Sequence, residues 1–211
     1  MIYSDPFIYS DKQREYEFTH YYFYENLFSE EECDEIIRLG EESNLFEGRV
    51  GGGVNDLRTT VRKSEIGFME YEPDNQWIFD KIAASVIEAN EVMWGFDVWG
   101  FGDGLQYTKY YEDGGHYDWH ADVGPTVANR KISFVLQLSE PEDYDGGLLQ
   151  LNVGHQYLEV PRAKGNVATG YAKERAYTIG GPIGFQVGSF QQAVKQKRAQ
   201  RVAPPQKAKQ K

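Results

Sequence analysis

Apolar positions recur at helical spacing in two early segments, then alternate with polar ones through most of the chain beyond residue 95. Ser29 precedes Glu30-Glu31-Glu32, with Glu32 three residues on, the reciprocal pattern of a capping box. Cys33, Ile36 and Ile37 then share one face and Gly40 supplies a stop, so a helix is expected over about 29–40. Cys33 reads as a small buried apolar residue. Pro73-Asp74 opens a second helix, in which Ile78, Ile82, Val86, Ala89 and Met93 form one stripe suited to packing on a sheet. Between the helices, Gly51-Gly52-Gly53 and Asn55-Asp56 mark a loop, and Thr59 to Tyr71 reads as one or two strands. From Phe96 onward the segments are short, alternating and punctuated by glycine, which argues for a sandwich or jelly roll. The whole predicts an α+β domain with N-terminal helices packed on one side of a sheet.

Composition narrows the picture. At 211 residues the chain is one domain with or without a tail, and 15 tyrosines suit a β-rich protein. The net charge of −11 is uneven: Lys195, Lys197, Arg198, Arg201, Lys207, Lys209 and Lys211 lie in the last 21 residues, with no acid among them. Expected are an extension over 1–19, a domain over 20–190, and a basic, disordered tail over 191–211. The acidic body should repel nucleic acid. One cysteine excludes an internal disulfide and a thiolate metal cluster. Without a run of transmembrane length or the pattern of a signal peptide at the start, a cytoplasmic protein with no membrane partner is the expectation.

The chemistry concentrates between Gln106 and Leu151, around His120-Ala121-Asp122. In an extended strand, residues two apart point to one side, so this imidazole and carboxylate can grip one metal ion. Two histidines and a carboxylate on one face of an octahedron form the non-haem iron(II) site, with open positions for substrate and dioxygen. By strict alternation His116, Asp118, His120 and Asp122 all share one face, and a second metal site at His116 and Asp118 is the alternative to reading those two as ordinary polar residues.

The surroundings carry a longer pattern: Tyr111, Gly114, Tyr117, His120, Asp122, Arg130, Lys131, Ser133, Leu138, Ser139, Pro141, Tyr144, Gly146 and Gly147. This resembles the prolyl 4-hydroxylase-like family of iron(II)- and 2-oxoglutarate-dependent dioxygenases, most of all its PKHD-type hydroxylases and their phage-borne relatives. The resemblance implies a distorted double-stranded β-helix, the jelly roll, whose open end holds iron(II) on His120 and Asp122. It implies consumption of 2-oxoglutarate and dioxygen, release of succinate and carbon dioxide, and hydroxylation of a peptidyl (prolyl or similar) or small-molecule substrate. Ascorbate is expected to keep the iron reduced. For 2-oxoglutarate itself the resemblance points to a hydroxyl from Tyr111 or Tyr110, a contact from Gln137, and a basic residue after the third iron ligand.

The C-terminal third departs from the family pattern. Lys164-Gly165-Asn166-Val167 fits, but no histidine comes after it, and His155 is the only histidine after Asp122. His155, which lies ahead of the strand where the family carries the third ligand, is one candidate for it. Glu174-Arg175-Ala176-Tyr177-Thr178 resembles the family's G-x-R-x-S strand, which makes Arg175 the candidate 2-oxoglutarate cation and would put the third ligand near Gly165 or Asn166, neither of which replaces imidazole. Two alternatives stand beside the enzyme: an inactive relative acting as a binding module, and a chain whose end is read out of frame. For the second, the codons of Ala168 to Arg175, shifted by one frame, permit a histidine- and arginine-bearing segment like the one expected.

Overall fold

The computed structural model describes residues 21–48, 60–123, 130–153, 156–171, 175–179 and 183–192. Two antiparallel sheets organise them. The larger is built from β1 (Tyr21–Tyr24), β2 (Phe46–Glu47), β4 (Glu65–Met69), β5 (Val98–Phe101), β6 (Leu105–Lys109), β8 (Arg130–Gln137), β11 (Val167–Tyr171) and β13 (Ile183–Gln192). Its order is β1-β11-β8-β13-β6-β4-β2, with β5 also on β13. The smaller sheet has β3 (Arg62–Lys63), β7 (His116–Ala121), β9 (Leu149–Val153), β10 (Gln156–Glu159) and β12 (Arg175–Ile179), in the order β10-β9-β12-β7-β3. Residues 175–179 and 183–192 thus add one strand to each sheet, and β13 runs past the expected start of the tail at 191.

The first helix, α1 (Glu30–Glu42), starts as the sequence predicts: Ser29 Oγ accepts from the Glu32 amide, and the Glu32 carboxylate accepts from the Ser29 amide. The second, α2 (Gln76–Met93), begins three residues after Pro73. Asn75 explains the delay, because its side chain accepts from the Glu72 amide and donates to the Glu70 carbonyl, which holds the turn closed ahead of the helix. The stripe Ile78, Ile82, Val86, Ala89 and Met93 is fully buried. It lies in one core cluster with Cys33 and Ile36 of α1 and with Leu105, Tyr107, Ile132, Phe134 and Leu136 of the larger sheet. Burial pushes the Cys33 thiol up to about 12, so the cysteine is an inert core residue as expected.

Along β8, Ile132, Phe134 and Leu136 face that cluster, and alternation turns Ser133, Val135 and Gln137 to the other side. There Val135 packs on a second, smaller cluster with Leu149 and Leu151 of the opposing sheet and Ala168. The larger sheet therefore carries core on both faces, and the space between the sheets receives the metal-ligand candidates.

Candidate metal centre

His120 and Asp122 sit at the end of β7, with side chains only 10% and 18% exposed. Nε2 of His120 lies 3.5 Å from Oδ1 of Asp122, so both donor atoms address one point. Nδ1 of His120 lies 2.8 Å from the Asp118 carbonyl oxygen. A carbonyl only accepts, so Nδ1 carries a proton and a bound metal would take Nε2, the outer-shell arrangement that orients metal-binding histidines. Ser133 Oγ donates to Oδ2 of Asp122 at 2.5 Å and so fixes the plane of the carboxylate. Arg130 donates from Nη1 to the Asp122 carbonyl at 3.0 Å and from Nη2 to Asp103 at 2.7 Å. Burial raises the Asp122 pKa, but the His120 contact, the Ser133 hydroxyl and the Arg130 charge outweigh it and hold the carboxyl below its ordinary value.

Strict alternation fails in β7. Ala176 of β12 pairs with His120, while Thr178 pairs with Tyr117, so Asp118 and Trp119 together oppose the single residue Tyr177. This β-bulge shifts the parity of everything before it. Tyr117, not Asp118, shares the face of His120, and His116 moves to the opposite face with Lys63 as its cross-strand partner. The expectation that His116, Asp118, His120 and Asp122 line one face is corrected accordingly. His116 instead approaches the carbonyls of Gly114 and Thr60, and Asp118 is exposed.

The bulge also builds a column of side chains. The Tyr117 ring stacks on the His120 imidazole at 3.5 Å between centroids and 12° between planes. The Arg62 guanidinium lies over Tyr117, with Cζ 4.5 Å from the ring centre. So close an imidazole leaves no room for a second group on the same face, so Arg62 covers the other one. Arg62 is 5% exposed, and its Nε donates to Ser64 Oγ at 2.8 Å. Among the described residues its Nη2 is buried without a hydrogen-bond partner, a condition that costs roughly 1–3 kcal/mol or more for a charged group. Arg62 gives no signal in the sequence, where it stands apart from the metal motif. Ser133 stands inside the recognised pattern, although only the structure shows what it touches.

The remaining candidates divide. Gln137 lies on the same side of β8 as Ser133 and is half-buried. Tyr111 is exposed, its hydroxyl donates to Glu65, and Lys109 lies over its ring. Arg175 is placed by its backbone opposite Ala121, one register step from the position facing His120. His155 lies outside the described residues. Pro141 and Tyr144 of the motif belong to a turn closed by Arg162, whose Nη2 donates to both their carbonyls. Gly146 and Gly147 take positive φ there, of 76° and 61°, which glycine adopts without strain.

The pair fits two of the three protein ligands of an iron(II) site in donor type, tautomer and convergence. Among the described residues no third His, Cys, Asp or Glu joins them. The position opposite His120 on β12 is Ala176, which brings no donor. No described helix is long and apolar enough to cross a membrane.

Residues 105–178 match the family described as the 2OG-Fe(II) oxygenase superfamily, whereas no curated protein matches the chain. Among solved structures, a Pseudomonas putida prolyl-4-hydroxylase is similar with a TM-score of 0.64 at 16% identity, over 83% of this chain and 94% of that one. A Trichoplax adhaerens prolyl hydroxylase, in complex with a hypoxia inducible factor oxygen degradation domain peptide, gives 0.65 at 12% identity over 81% and 84%. A viral collagen prolyl hydroxylase from Paramecium Bursaria Chlorella virus-1, in its 2OG complex, gives 0.59 at 16% identity over 83% and 97%. At such identities the structures establish the shared jelly-roll fold. The matched segment contains His120, Asp122, Arg130 and Ser133, so this part of the chain is similar to the 2OG-Fe(II) oxygenase superfamily, and the prolyl hydroxylases named above share the fold of the chain.

Proposed function

We propose that this chain, through one domain over about residues 20–190, hydroxylates a C–H bond of a peptidyl substrate, prolyl or similar, or of a small molecule. The observation that carries this is the convergence of His120 Nε2 and Asp122 Oδ1 at 3.5 Å, with Nδ1 fixed by the Asp118 carbonyl and Oδ2 by Ser133. Bound iron(II) supplies the dioxygen chemistry, coupled to conversion of 2-oxoglutarate to succinate and carbon dioxide. The chain's own residues position and insulate. His120 and Asp122 hold the ion, Ser133 orients the carboxylate, and Tyr117 shields one face of the imidazole. Arg130 holds the Asp122 backbone, and Gln137 faces the co-substrate from β8. Tyr111 is the weaker candidate for a 2-oxoglutarate contact, because Glu65 already takes its hydroxyl. Ascorbate is proposed as the reductant that maintains iron(II). The peptide held by the Trichoplax adhaerens neighbour supports a peptidyl substrate.

A second reading has its own observation. Ala176 opposite His120, with no third ligand among the described residues, favours an inactive relative that acts as a binding module. One experiment separates the two. The full chain is incubated with iron(II), ascorbate, 2-oxoglutarate and proline-containing peptides, and succinate is measured. Succinate that disappears in His120→Ala and Asp122→Ala supports the enzyme. Its absence from folded, iron-loaded protein supports the binding module.

A further inference from the structure

Arg62 is a buried cation on the metal-facing side of the smaller sheet that holding the ion does not use. The register fixes that side: Arg62 pairs with Tyr117, Tyr117 with Thr178, and His120 with Ala176, so all five positions share one face. Arg175, opposite Ala121, is off that register. Arg62 is also rigidly held. Its Nε is bonded to Ser64, one face lies on Tyr117, and a flank is closed by Gly48, where a Cβ would come within 2.8 Å of Nε. Its unpartnered Nη2 is thus a fixed donor in a buried setting, the kind of group that recognises a carboxylate.

The spacing suits a dicarboxylate chelated at the metal. The separations of 4.5 Å from Arg62 Cζ to the Tyr117 ring and 3.5 Å from that ring to His120 limit the cation to within 8 Å of the imidazole centre. A five-carbon 2-oxo diacid, with carbon–carbon bonds near 1.5 Å, extends roughly 5 Å from its chelating end to its far carboxylate. We propose that the buried guanidinium of Arg62, stacked through Tyr117 on His120, binds the far carboxylate of 2-oxoglutarate. This rests on the reading that 2-oxoglutarate binds at the His120–Asp122 site. It moves the cation from the strand after the third ligand to β3, ahead of the metal motif.

The test is calorimetric binding of two 2-oxo acids to the full chain loaded with manganese(II): 2-oxoglutarate, and 2-oxobutanoate, which lacks the far carboxylate. The wild-type chain is expected to prefer 2-oxoglutarate by roughly 10–100-fold, the range of a charge-assisted hydrogen bond. Arg62→Met is expected to abolish that preference while 2-oxobutanoate binds as before, and Arg175→Met to leave it intact. Should Arg62→Met fail to fold by circular dichroism, Arg62→Gln decides the same question. A preference that survives neutralisation of Arg62, or falls only in Arg175→Met, overturns the assignment. So does an equal weakening of both acids, which would show that Arg62 only props Tyr117. If neither acid binds the loaded wild-type chain, the 2-oxoglutarate reading fails, and the assignment with it.

Discussion

Tyr117 and His120 are three residues apart on one strand, yet their rings stack at 3.5 Å. Regular alternation would put them on opposite faces of the sheet. The bulge at Asp118 and Trp119 brings them together, and it also turns the Asp118 carbonyl onto His120 Nδ1. One extra residue in β7 thus sets both the plane of the His120 imidazole and the partner of its Nδ1. Bulges beside active sites re-aim side chains in this way.

If the ring rather than the hydroxyl of Tyr117 matters, Tyr117→Phe should leave metal affinity close to wild type. Tyr117→Ala removes the stack and leaves Arg62 over a cavity. It should cost about 3 kcal/mol of stability, the scale of an aromatic-to-alanine truncation, and weaken metal binding. Denaturant unfolding and manganese(II) titration of the two variants check this.

Ser133→Ala should fold normally but bind metal roughly 10–100-fold more weakly, the usual cost of losing an outer-shell partner of a ligand. The hydroxyl fixes Oδ2 and thereby aims Oδ1. Calorimetric metal titration gives the affinity, and an unchanged value would show that Asp122 needs no such support.

The depressed pKa of Asp122 sets the sign of one pH effect in the metal-free protein. Its contribution to stability is fully present above the unfolded-state value, near 3.8, and is lost as pH falls through the lower folded-state value. The metal-free wild type should therefore lose stability over that acidic interval, and Asp122→Asn should lack this component. Urea unfolding at a series of pH values below 5 measures the difference in slope.

Far from the metal, Ser29→Ala breaks the capping box of α1 and should cost about 1 kcal/mol. Thermal unfolding should show the loss and metal titration should not, because the capping box is local to the first turn of α1.

The sequence was legible where a short-range rule decides the outcome. The capping box and the stripe from Ile78 to Met93 are local patterns, and both helices obey them. The His120–Asp122 pair was legible because the two residues lie after the bulge, where alternation still holds. His116 and Asp118 were misplaced because a bulge is set by cross-strand pairing with β12, more than fifty residues away. Arg62 was invisible for a related reason: it reaches Tyr117 only because β3 pairs with β7. The third ligand could not be read from spacing either, and pairing shows that the position opposite His120 is an alanine.

On the reading proposed above, His120 and Asp122 form an iron(II) site that takes up 2-oxoglutarate. The most direct test is anaerobic titration of iron(II) into the full chain with 2-oxoglutarate, monitoring the visible absorbance of the iron–2-oxo acid chelate. A saturable band that is lost in both His120→Ala and Asp122→Ala is expected. A folded chain that gives no band, or a band that survives the loss of His120, would contradict it.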